Sequence, residues 1–107
     1  MVETVLRIKG ALVKKYRDFA VIGNFFKSKR LDAELSQADL AKKLGFSSCQ
    51  MVSNWERGLC APPLDSIYKM LTILDLSRDE VLELILNDTR RYLEESLSRG
   101  HRRRSVG

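Results

Sequence analysis

Residues 36–58 read Ser36-Gln-Ala-Asp-Leu-Ala-Lys-Lys-Leu44-Gly45-Phe-Ser-Ser-Cys-Gln-Met-Val52-Ser-Asn-Trp55-Glu-Arg-Gly58, and this stretch decides the fold. Ser36 offers an N-cap, and Asp39 places a negative charge in the first turn, where a helix dipole favours it. A short helix then runs from Gln37 to Leu44. Gly45 stops it, because the residue past a helix C-terminus often takes the left-handed conformation that glycine adopts most cheaply. Ser47 or Ser48 is positioned to cap a second helix over about 49–57. Val52 and Trp55 share one face of that helix, while Gln50, Ser53, Asn54 and Arg57 point elsewhere. Two short helices joined by a tight glycine turn, the second with a polar and uncharged outer face, form a unit whose second helix fits a DNA major groove.

Outward from this unit the chain continues to read as helix. Val5, Ile8, Leu12, Tyr16 and Phe19 recur at helical spacing and predict an amphipathic segment over residues 1–21, despite Gly10. A helix from about Ile22 to Ala33 should bury Ile22, Phe26 and the stem of Arg30. Downstream, Pro63 suits a first helical turn, and Leu64, Ile67, Met70, Leu71 and Leu74 give a stripe for a supporting helix. Ser77 and Glu80 form a capping-box pair ahead of Val81, Leu82, Ile85 and Leu86, which begin a last helix reaching about Ser98. Along it Leu82, Leu86, Leu93 and Leu97 stay on one side, with Thr89 between them, and Val81, Ile85 and Tyr92 form an adjoining row. The organisation expected is an N-terminal segment (1–21), a helical domain (22–87), an extension of the last helix (88–98) and a basic tail (99–107).

Composition narrows the class. A chain of 107 residues holds one core. Two prolines and six glycines, against abundant Leu, Lys, Glu and Arg, favour an all-α domain over a sandwich of short strands. No apolar run approaches the ~18 residues of a membrane span, and no signal peptide is legible, so a cytoplasmic protein is expected. Two cysteines, Cys49 and Cys60, and one histidine, His101, supply neither a zinc set nor a nucleophile–base pair, so no metal, cofactor or catalysis is expected. The net charge of +5 is concentrated at the ends: residues 1–30 carry eight basic and two acidic side chains, and residues 99–107 carry four arginines. Cationic ends around a nearly neutral middle suit a protein that tracks phosphates with its ends, and equally suit solvated tails.

The residues quoted above resemble the helix-turn-helix family of lambdoid phage repressors and Cro, with their bacterial regulator and antitoxin relatives. The resemblance covers about Ile22 to Leu86. It rests on Gln37, Leu40-Ala41, Gly45 and the run Val52-x-x-Trp55-Glu56-x-Gly58, with Pro62-Pro-Leu64 and Leu74-Asp-Leu76-Ser77 falling where the family opens its fourth and fifth helices. It implies a five-helix repressor-like domain, here with an extra N-terminal helix and an extended C-terminal one. It also implies that Arg30 and Glu56 pair, tying the first helix of the domain to the end of the recognition helix. Ala41 permits close helix approach, and Leu40, Val52 and Trp55 fill the wedge, so Trp55 is read as core rather than as a base-stacking residue.

One departure shifts the site. Six residues lie between Gly45 and Val52 where the family commonly has five, so the register is counted back from Val52, which must still pack. On that count the family's base-contacting positions fall on Ser48, Cys49, Gln50 and Asn54, and its helix-two phosphate contact on Gln37. Gln and Asn amides each offer a donor and an acceptor in one plane, matching adenine N6 and N7. Cys49 and Met51 either touch a thymine methyl or seal the turn. Ser53, Arg57, Lys42 and Lys43, with Lys27 and Lys29, are candidate phosphate neighbours. The expected function is sequence-specific binding of double-stranded DNA as a transcriptional regulator, by a homodimer joined through its terminal helices. The rivals are an antitoxin or phage-type control protein that also binds a protein partner, and a protein-binding module that has lost DNA.

Overall fold

In the computed structural model, residues 18–106 are described, with side chains through Arg99. The amphipathic segment expected over Val5, Ile8, Leu12 and Tyr16 lies outside the described residues. The described chain forms five helices and, among those residues, no strand: α1 Ala20–Asp32, α2 Gln37–Leu44, α3 Gln50–Glu56, α4 Leu64–Ile73 and α5 Arg78–Val106. The fold is all-α and repressor-like, as the resemblance implied.

Local chemistry sets the boundaries. Ser36 and Asp39 close a full capping box on α2: the Asp39 N–H donates to Ser36 Oγ (2.9 Å) and the Ser36 N–H donates to Asp39 Oδ2 (3.0 Å). Above all the Ser36 backbone N–H, then the Ser36 hydroxyl, and further off Lys43 and Lys42, hold the Asp39 carboxyl below its ordinary value. Ser77 Oγ accepts the Glu80 N–H (3.2 Å) at the head of α5.

Helices α1 to α4 all end in the same way. A residue in the left-handed region follows each one: Glu34 (φ 60), Gly45 (φ 92), Gly58 (φ 79) and Asp75 (φ 55). In each case the next N–H reaches five residues back, Leu35 to Arg30, Phe46 to Ala41, Leu59 to Asn54 and Leu76 to Leu71, satisfying a carbonyl the helix leaves open.

Ile22, Phe26, Leu40, Ala41, Leu44, Val52, Trp55, Ile67, Met70, Leu74 and Val81 make up the core. Trp55, Phe26, Leu40, Met70 and Val52 are its largest fully buried side chains. Phe46, in the turn, meets the Trp55 ring edge-on with centroids 5.9 Å apart. Burial of these side chains, at roughly 25 cal/mol per Å² of apolar surface, is the main force holding α2 and α3 at their mutual angle.

Three expectations are corrected. Leu64 does not join the α4 stripe: as the first residue of that helix it lies beyond the core and is 81% exposed. The N-cap of α3 is Cys49, not Ser47 or Ser48, and no side chain caps it; Ser48 Oγ instead accepts the Gln50 N–H at 3.3 Å. Helix α5 continues well past Ser98 to Val106, taking the basic tail into the helix. Gly100 costs only about 1 kcal/mol there, arginine is a good helix former, and cations near a helix C-terminus complement its dipole.

Candidate nucleic-acid interface

α3 is held from beneath by an unusually close approach to α1. A Cβ placed on Gly23 would lie 2.2 Å from the Trp55 carbonyl oxygen and 3.1 Å from that of Glu56, so only glycine lets the two backbones meet here. A Cβ on Gly58, in the turn after α3, would meet the Ala20 backbone nitrogen at 2.9 Å, and the Gly58 carbonyl accepts the Phe19 N–H at 3.2 Å. The start of α1 thus grips the end of α3. Gly23 carried no role in the sequence reading, although a glycine inside a helix of otherwise good formers is a signal of close packing.

A buried ion pair locks the same seam. Arg30 Nε donates to Glu56 Oε2 at 2.7 Å and Arg30 Nη2 to Glu56 Oε1 at 3.0 Å, with both residues buried. Arg30 Nη1 donates to the Leu35 carbonyl (2.7 Å), and Gln37 Nε2 donates to Glu56 Oε1 (2.9 Å). The bidentate pair matches the fork geometry of guanidinium and carboxylate. It also neutralises a carboxylate at the C-terminal end of α3, where the helix dipole disfavours negative charge. One network therefore joins α1, the head of α2 and the foot of α3. The pairing of Arg30 with Glu56 was legible in the sequence; the Leu35 carbonyl and the Gln37 amide are additions of the fold. Trp55 Nε1 is buried and has no hydrogen-bond partner among the described residues.

The opposite face of α3 is open and polar. Gln50 and Arg57 are exposed, and Asn54 and Ser53 half-buried. Gln50 Nε2 donates to Asn54 Oδ1 (2.9 Å), and Arg57 Nη2 donates to the same oxygen (3.0 Å). At spacings of four and three residues these side chains are helix-surface neighbours, and they form one chain along the helix. Ser48 is exposed at its head. Cys49 is half-buried and packs against the core. Met51 is exposed.

Of the other candidates, Gln37 spends one amide N–H on Glu56, leaving its oxygen and second N–H. Lys42 and Lys43 stand exposed on the last turn of α2 and form no ion pair among the described residues, as does Lys27 on α1. Lys29 is drawn away, 3.7 Å from Glu80 of α5 and over the Phe25 ring at 5.5 Å. No group of three or more His, Cys, Asp or Glu side chains among the described residues is arranged to hold a metal ion. No helix among them is long and apolar enough to cross a membrane.

Comparison with known proteins agrees with this architecture. A family model described as helix-turn-helix matches residues 26–81, just over half of the chain. A solved structure, a point mutant of the restriction-modification controller protein C.Esp1396I, is similar with a TM-score of 0.53 and 21% identity, over 65% of this chain and 92% of that one. At that identity the likeness concerns the fold. No curated protein matches the sequence. With Ala41 of α2 and Trp55 of α3 buried in one core, a left-handed glycine between the two helices and the family match over 26–81, the chain belongs to the cro/C1-type helix-turn-helix family of DNA-binding transcription regulators.

Proposed function

We propose that the protein is a sequence-specific regulator that reads double-stranded DNA by setting α3 in the major groove. The observation that carries this reading is the division of α3: Val52, Trp55 and Glu56 are buried, while Gln50 and Asn54 present linked amides on the open side. Gln50 and Ser48 face the bases, with Asn54 beside Gln50 on the same face and Cys49 the least available because it packs inward. Gln37, Ser53, Arg57, Lys42 and Lys43 serve the phosphates, fixing register without carrying sequence information.

The protein acts as a homodimer joined through its terminal helices. Leu82, Leu86, Leu93 and Leu97 of α5 are each about half or more exposed, and Tyr92 is 40% exposed. Burying them between two chains contributes on the order of 1.5–3 kcal/mol per side chain before association costs. A two-fold pair would set its α3 helices about one DNA turn, ~34 Å, apart and select palindromic sites. A second reading, a control protein that also binds a protein partner, draws on Leu64 and Tyr68, one turn apart on α4 and 81% and 75% exposed.

Selection of duplexes from a random pool tests the main reading. Enrichment of inverted repeats with half-sites one turn apart supports it, and no enrichment at any salt concentration overturns it. Sedimentation separates the assemblies: Leu93→Glu with Leu97→Glu should give a monomer, whereas stable co-purification of a second chain would favour the control protein.

A further inference from the structure

We propose that Asn54 does not itself read a base but is the positioning residue of the recognition face, holding Gln50 as its adenine reader; this rests on the reading of α3 as the groove helix. A side-chain amide oxygen has two acceptor sites. Both sites of Asn54 Oδ1 are filled, by Gln50 Nε2 at 2.9 Å and Arg57 Nη2 at 3.0 Å. In this arrangement Asn54 has no acceptor left for the adenine N6 amino group, and a bidentate Asn–adenine pairing would first have to break one of these two bonds. Gln50 keeps the complement that pairing requires. Its Oε1 has no partner among the described residues, and one Nε2 hydrogen remains after the bond to Asn54, so it can accept from adenine N6 and donate to N7 together.

The backbone reinforces this hub. The Asn54 carbonyl accepts the Leu59 N–H at 3.0 Å in the turn that ends α3, and Asn54 is less exposed than Gln50 or Arg57 on either side of it. Gln50, in the first turn of an open face, would otherwise sample several rotamers. Its bond to a half-buried oxygen one turn along narrows them before any DNA arrives, lowering the ordering cost that binding would incur. The same oxygen holds Arg57 along the helix, so one residue sets the direction of both neighbours.

The experiment has two arms. In the DNA-free protein, the side-chain amide signals of Gln50 in a nitrogen–proton correlation spectrum should move toward those of a solvent-exposed amide on Asn54→Ala and not on Asn54→Asp, which keeps the acceptor. Gln50 signals indifferent to Asn54→Ala would overturn the proposal without reference to DNA. In the second arm, the duplex selected by the wild-type protein is varied one base pair at a time. Gln50→Ala should lower the preference for A·T at one pair by about tenfold or more. Asn54→Ala should lower it at that same pair, with the double variant no worse than Gln50→Ala alone. Asn54→Asp should bind all DNA more weakly, through its added negative charge, yet keep the A·T preference within about twofold. A merely structural Asn54 would instead shift melting and leave the preference intact. Relaxation at a second, different pair in Asn54→Ala, additive with Gln50→Ala, would make Asn54 a reader and sink the proposal. A wild-type protein that enriches no sequence fails the DNA reading itself, and the spectral arm still judges the hub.

Discussion

The two faces of α3 are built on opposite terms although the helix is only seven residues long. On the inner face the backbone of α1 presses against the backbone of α3 at Gly23, and Arg30 clasps Glu56 directly through two buried hydrogen bonds. On the outer face Gln50, Asn54 and Arg57 are joined by hydrogen bonds that water can replace at little cost. The contrast teaches that placing a recognition helix and reading with it are separate tasks, given to side chains one or two positions apart. Substitutions should accordingly divide between those that unfold the protein and those that alter what it recognises.

The comparison is broken hardest at the ion pair. Glu56→Ala leaves the Arg30 guanidinium buried without its carboxylate, a loss of about 3–5 kcal/mol; urea unfolding should show it as a lower midpoint, or as a chain unfolded in buffer. Gly23→Ala comes next. Its methyl has only carbonyl backbone to displace, and overpacking of this kind costs about 1–3 kcal/mol or more. A lower midpoint at unchanged slope checks it, while little or no change would show that α1 and α3 can part freely.

Ser36→Ala removes the cap of α2 and should cost about 1 kcal/mol. Asp39 links the same cap to pH. Because its folded pKa is depressed, the stabilisation it contributes is complete above the ordinary aspartate value, ~3.9, and is lost as pH falls through the lower folded value. Asp39→Asn should remove that part of the acid decline, measured as unfolding midpoints between about pH 5 and 2. The smallest effect on stability is expected on the outer face: Gln50→Ala should stay within about 0.5 kcal/mol of wild type in urea. A large loss there would erase the distinction between the faces.

The four helix ends show where sequence reading succeeds and where it stops. Gly45 announced its left-handed turn because glycine there is the cheapest solution, and Gly58 does the same work after α3. Glu34 and Asp75 adopt the same geometry, which costs an L-residue roughly 1–2 kcal/mol, and nothing in their identity reveals it. The candidate site divides similarly. Gln50 and Asn54 were legible as amides on a polar helix face, and Arg30 with Glu56 through the family pattern. The bonds from Gln50 and Arg57 onto one Asn54 oxygen depend on rotamers, and rotamers are not written in a spacing.

By itself the sequence determined the helical class, the order of the helices from 20 onward, the caps at Ser36 and Gly45, and the inward face of Val52 and Trp55. These follow from local propensity and from apolar periodicity, both of which act over a few residues. The tertiary structure alone decided that Gly23 is the contact between α1 and α3, that Gln37 joins the Arg30–Glu56 network, that Leu64 is left outside the core, and that α5 runs to Val106. Each of these depends on distances between segments far apart in the chain, or on how far a core extends. Such distances are set only when the packed helices settle together.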